Sequence, residues 1–245
     1  MLFSNNFETS IGRLYLMGDV ASGTNRICSD LGIGAGSGSL YVALHTANPG
    51  EGSTGTECAY GSYARVAVAR STASWTETAG APTTYANASS ITFPQASSGT
   101  ETATHWALWT QPKGTANEKM LCYGPLIASG ANWQVGYVQD HTNDRIYCVA
   151  HGYSNDDPII VYSPYDGING LAALPAATPT LALGSTYYVY NKSTDYFQID
   201  DVTPAAAAID FSALGTLIFI KATSLSISTG VIPSFTIGAL EIAIA

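Results

Sequence analysis

The chain has 245 residues, a formal net charge of −9 and a pI of about 4.6. So acidic a chain is repelled by phosphate backbones, and no basic run offsets this, so nucleic acid is excluded as a partner. Only 11% of residues are charged against 46% hydrophobic, a low charge density for a monomer whose whole surface faces water.

Taken in chain order, the first candidate element is a helix. Phe7, Ile11, Leu14 and Tyr15 share one helical face, Asn5 or Asn6 suits its N-cap, and Gly18 suits its end. Two readings stand: a short helix that closes one end of the fold, or an arm that docks on another subunit through Phe3, Phe7, Ile11 and Leu14. The opening MLFSNNFETS lacks the basic and apolar regions of a secretory signal. Gly32 to Ser39, GIGAGSGS, superficially resembles a phosphate loop. It lacks the Lys-Ser/Thr ending and is followed by a strand pattern, so it reads as an entry linker. Residues 1–38 are therefore taken as arm plus linker.

Leu40 to Arg70 is two strand patterns around a polar loop. Leu40, Val42 and Leu44 alternate with Tyr41, Ala43 and His45, and Val66 and Val68 alternate with Arg65 and Ala67. Asn48-Pro49-Gly50 ends the first strand by turn chemistry. Trp75, a turn at Pro82, Ser90 to Pro94, Thr104 to Thr110 and Met120 to Tyr123 continue the pattern. Short strands, frequent Gly/Pro turns and little helical periodicity predict an all-β antiparallel sandwich. The tail returns to strands, with Leu240, Ile242 and Ile244 alternating with Glu241 and Ala243; such an apolar strand has to be paired.

Four phrases in this order, LYVALHTANPG, YARVAV, ITFPQASSG and ATH, resemble a family of tailed-phage virion proteins usually labelled tail fibre or hypothetical structural protein. The resemblance covers Leu40 to about Ala128 and returns over Leu225 to Ile244. It implies a structural protein of the virion.

Between the two resembling stretches the chain is rich in tyrosine. HGYSNDDPIIVY, GSTYYV and TDYFQI are similar to a small β-barrel module found in many phage proteins, and to the first catalytic-cysteine half-domain of ubiquitin-activating enzymes. The boundaries read from the sequence are 138–203 for an inserted barrel and 39–137 with 204–245 for the sandwich. Insertion succeeds at exposed loops whose ends lie close together.

Chemistry is sought next. His45 and His105 lack Cys, His or Asp at ligand spacing and read as hydrogen-bonding surface or interface residues. His141, Cys148 and His151 form H-x6-C-x2-H, a zinc fragment without a fourth ligand nearby. Asn155-Asp156-Asp157 and Asp200-Asp201 read as turn acids that bind backbone amides, because the twelve-residue calcium loop is absent. The four cysteines, at 28, 58, 122 and 148, are scattered and read as reduced thiols of a protein made in a cytoplasm. There is no Gly-x-Ser-x-Gly, and no local pattern proposes a facing carboxylate pair. No catalytic residue, cofactor or metal is expected, and the chain reads as a non-enzyme.

No apolar run approaches ~18 residues, so no membrane contact is expected. The low charge and a mean hydropathy of +0.13 favour an oligomer. Even ~600 Å² of apolar burial contributes on the order of 15 kcal/mol before association costs. The expected function is an outer-capsid decoration (cement) protein, a homotrimer on the outer surface of the virion, bound to the major capsid protein or another virion protein and made in the host bacterial cytoplasm. A tail fibre or baseplate-associated protein is the alternative, and a carbohydrate-binding or depolymerase module the second.

Overall fold

The computed structural model describes Leu16 and residues 38–50, 56–80, 83–128, 130–163 and 173–244. The expected N-terminal helix, the contact residues Phe3, Phe7, Ile11 and Leu14, the linker up to residue 37 and the turn at Pro82 lie outside these. Apart from the single helical residue Leu16, the elements among the described residues are β-strands and their pairings are antiparallel, so the fold is all-β. The chain divides into two units, one within Met1–Tyr123 and Leu225–Ala245, the other within Gly124–Ser224.

The first unit opens with β1 (Ser39–His45), β2 (Val66–Ala69), β3 (Trp75–Thr78), β4 (Thr83–Asn87), β5 (Ile91–Thr92), β6 (Thr100–Ala103), β7 (His105–Trp109) and β8 (Met120–Pro125). The second contributes β9 (Gln134–Asp140), β10 (Arg145–Tyr147), β11 (Pro158–Tyr162), β12 (Ala177–Thr178), β13 (Thr186–Tyr190), β14 (Tyr196–Asp200), β15 (Asp210–Phe211) and β16 (Gly215–Lys221). The first unit is completed by β17 (Leu225–Ser228), β18 (Ser234–Phe235) and β19 (Glu241–Ile244).

In the first unit β1 lies inside the sheet β2-β1-β7-β8. Its alternation sets the register: Leu40 faces Val68, Val42 lies between Val66 and Leu108, and Leu44 faces Trp106. The opposite face is buried as well. Ala43 and Ala107 are a cross-strand pair without solvent exposure, flanked by Trp109, His45 and His105, all buried. The alternating pattern of Leu40 to His45 is thus a strand buried on both sides from Val42 onward, and its second face carries the small pair Ala43 and Ala107 where β1 and β7 meet. The tail strands return to this unit, β17 on β6, β18 on β5 and β19 on β4. Buried Asn87 at the end of β4 fixes the return. Its amide donates to the carbonyls of Ser89 and Thr236, and its side-chain oxygen accepts from the Leu240 amide at 2.9 Å.

The second unit is a closed barrel of order β10-β14-β13-β11-β16-β9. Its inward residues, among them Ile146, Ile159, Val189, Phe197, Leu217 and Phe219, are buried in one cluster. Phe197 meets Phe219 edge-on at 5.3 Å and Tyr153 at 5.6 Å, the T-shaped arrangement that aromatic quadrupoles favour. Gly136 allows this packing: a Cβ there would lie 2.7 Å from both Ile146 Cγ2 and Phe219 Cε1. The ribbon β12–β15 adds Phe211 to the same core. The barrel extends beyond the 138–203 segment read from the sequence. That segment begins inside β9 and omits β16, and β9 and β16 are the pair that closes the ring.

Candidate functional site

Two places in the molecule gather chemistry. The first is a charged cluster beside β2. Arg65 ends the extended approach to that strand, and its side chain is only 2% exposed. Its Nε donates to Glu57 Oε1 at 3.0 Å and its Nη2 to Glu57 Oε2 at 2.9 Å, a bidentate fork. Nη1 donates to the Gln111 carbonyl and faces the Glu118 carboxylate, and the guanidinium carbon lies 3.8 Å over the Trp109 ring. The Tyr63 hydroxyl donates to Glu57 at 2.9 Å. Lys113 donates to the Cys58 carbonyl and lies 5.1 Å over the Tyr63 ring.

Burial alone would raise the Glu57 carboxyl, but the Arg65 fork, Tyr63 and Lys113 outweigh it and hold its pKa below the ordinary value. Burial likewise pulls Arg65 down, and Glu57 and Glu118 reverse that. Cys58 is pushed up to about 12 by burial and then by Glu101, so its thiol stays protonated and is no nucleophile. The arrangement ties the segment that follows β7 to the segment that precedes β2. It is a clamp between loops; its carboxylates are engaged by cations rather than turned toward a substrate.

The histidines do not assemble a metal centre. His45 and His105 face each other across β1 and β7; the sequence reading took them as hydrogen-bonding surface or interface residues, and both are buried within the chain. His45 Nδ1 sits 3.4 Å from Thr56 Oγ1 and its ring stacks 6.5 Å from Trp109; His105 Nδ1 sits 2.9 Å from Thr104 Oγ1. In the H-x6-C-x2-H fragment, His151 Nδ1 accepts from the Tyr153 amide and Nε2 donates to the Ser193 carbonyl. Both ring nitrogens are thus engaged by backbone. The Cys148 thiol donates to Gln134 Oε1. Among the described residues no three His, Cys, Asp or Glu side chains are placed to hold a metal ion.

The turn acids hold backbone. Asp156 Oδ1 accepts from the Ala205 amide, Asp157 Oδ2 from the Ser154 amide and Lys221, and Asn155 Oδ1 from the Lys192 amide. Asp200 accepts from the amides of Val202, Ala206 and Ala207. Burial would raise its carboxyl, and these amides together bring it below the ordinary range. The three cysteines described, Cys58, Cys122 and Cys148, are unpaired thiols.

The second place is the outer face of the barrel. Along β9 and its approach, Trp133, Val135 and Tyr137 are 55%, 48% and 47% exposed. Tyr137 pairs with Tyr147 on β10, which pairs with Tyr196 on β14, and Arg145 lies 4.3 Å over the Tyr196 ring. Composition signalled the tyrosines. Their gathering on one outer face depends on strand order and was not legible.

The comparisons with known proteins bear on the first unit. Residues 35–132 match a family described as podophage GP4 fiber I protein gp80. The match spans β1 to β8 and contains Glu57, Arg65, Trp109 and Glu118. It supports a structural protein of the tailed-phage virion. No curated protein and no solved structure matches the chain.

Proposed function

We propose that the chain is a non-enzymatic virion protein carried on the tail, in or beside the fibre apparatus. The observation that supports this reading is the match of residues 35–132 to a podophage fibre protein. It favours the tail over the capsid decoration role that the sequence reading put first. The clamp suits such a part: Arg65 joins segments from two sides of a sheet with charges withdrawn from solvent, which stiffens an attachment module and offers no reacting group.

In this reading the chain works as a homotrimer on the outside of the particle and is made in the host cytoplasm. The arm at residues 1–38, through Phe3, Phe7, Ile11 and Leu14, docks on another virion protein. Outer-capsid decoration is the second reading, favoured by the acidity of the chain, which suits a position away from packaged DNA. Copies per virion, counted by quantitative mass spectrometry against the major capsid protein, separate the two. A few dozen copies or fewer support the tail, and hundreds overturn it in favour of the shell. Deleting residues 1–38 is expected to abolish incorporation while the remaining chain stays folded; incorporation at full copy number removes the arm from the contact.

A further inference from the structure

We propose that the exposed stripe Trp133, Val135 and Tyr137 on β9 and its approach is where copies of this chain meet, packed around a three-fold axis that runs along the strand. The proposal rests on the reading of the chain as a homotrimer and gives that assembly its contact. The stripe lies outside residues 35–132, which match the fibre family.

Alternation builds the stripe. Val138 packs in the barrel core, and a Cβ on Gly136 would meet Ile146 and Phe219 there, so Trp133, Val135 and Tyr137 turn outward and are half-exposed. The open part is narrow. In a closed ring of six strands each outer face is turned about 60° from the next, so β9 stands out as a ridge. Its flanks are Thr216 and Ile218 of β16, paired with Tyr137 and Val135, and Tyr147 of β10, paired with Tyr137. Toward β11 the opening ends. Tyr162, edge-on to Trp133 at 5.4 Å, packs on the buried cluster of Ile160, Ile220 and Ala222 and so braces the Trp133 ring.

Shape and charge select the occupant. The stretch from 133 to 137 spans about 14 Å. A ridge of that length offers one flat partner far less than the ~800 Å² per side of a stable interface. A three-fold axis takes a ridge well: each copy meets two neighbours, the β10 flank of one against the β16 flank of the next, and the rings at the centre are shared by all three. Trp and Tyr at the desolvated centre of a contact are the residues that anchor it. Copies at −9 repel one another, so they can touch only where charge is absent or paired. Residues 120–139 and 211–220, which include most of β9 and β16, hold no charged side chain. The charges at the ends of the stripe are balanced. Asp140 of β9 is the register partner of Arg145 of β10, so three copies bring three of each sign to one level, where they alternate around the axis. At the other end, two residues past the pair of Phe219 and Gln134, Lys221 is held by Asp157 at 2.7 Å. Like ends therefore meet without repulsion, as parallel copies require.

The test is sedimentation equilibrium of the full chain from about 1 to about 100 µM, with far-UV circular dichroism to check each fold. Wild type is expected to be a trimer. Trp133→Asp and Val135→Asp are expected to raise its dissociation constant about a hundredfold or more, and Val149→Asp, exposed but off the stripe, to leave it unchanged. A second readout keeps the assembly intact: a short bismaleimide should link two copies of Val135→Cys, and no more copies of Val149→Cys than of wild type. A wild-type monomer across the whole range overturns both the contact and the homotrimer reading. A trimer that survives both aspartate variants overturns the contact alone, as does a trimer in which Val135→Cys links no more copies than wild type. A dimer overturns the three-fold axis.

Discussion

Arg65→Met is the sharpest test of the clamp. Methionine keeps most of the apolar stem, but removes the fork to Glu57, the bond to the Gln111 carbonyl, the counter-charge to Glu118 and the guanidinium stacked over Trp109. The Glu57 side chain is 11% exposed, so water replaces the lost partner poorly. Breaking a buried pair by removing one member costs about 3–5 kcal/mol, because the remaining charge is left without compensation. For a unit of this size that lowers Tm by roughly 6–20 °C. Hydrogen exchange resolved by peptide is the assay, since it reads the two units separately: protection should fall in the peptides around β2 and β7 and hold in the barrel.

The pH dependence supplies a second readout. In wild type the folded Glu57 pKa lies below its unfolded value. Its contribution is therefore present above the unfolded pKa, near 4.5, and is lost as pH falls through the folded one. In Arg65→Met the fork and its charge are gone, and burial, which raises the pKa, has less to oppose it. The variant carboxylate then gains from protonation, so the deficit relative to wild type should narrow between pH 7 and pH 5. A cost below about 1 kcal/mol at pH 7 would refute the reasoning, since an exposed pair is worth no more. A deficit that widens on acidification would refute it equally.

Gly136→Ala should destabilise the barrel by about 1–3 kcal/mol in urea unfolding, because the new Cβ meets Ile146 and Phe219 inside contact distance. Asn87→Ala should cost about 1–3 kcal/mol and strip exchange protection from β18 and β19, whose backbone loses its buried acceptor and donors. A fragment of residues 124–224 should fold alone with a cooperative transition, whereas 138–203 should not, because it lacks β16 and most of β9; near-UV circular dichroism with thermal melting decides.

What the sequence made legible, and what it hid, follows from the range of the forces involved. Alternation is local, so the face that Leu40, Val42 and Leu44 share could be read from their spacing, and register agrees. The burial of the opposite face could not, because the pairing of Ala43 with Ala107 joins residues far apart in the chain. The same limit explains the barrel boundary. A change in tyrosine content near Tyr137 reports the outer face of β9, where side chains are free to differ from the core. Closure is set by the inner face, where Val138 and Leu217 pack with Ile146 and Phe219, and those residues look like any strand interior. Composition therefore marked where the surface changes character, several residues inside the point where the barrel begins. The clamp was hidden for a related reason. Arg65 is spaced as a polar residue between core positions, and its burial depends on Glu57 and Glu118 arriving from either side. Pairing a charge inside a fold requires partners brought by tertiary structure. A lone arginine in a strand pattern is thus where sequence reading expects solvent, and where the fold places the contact that joins two loops.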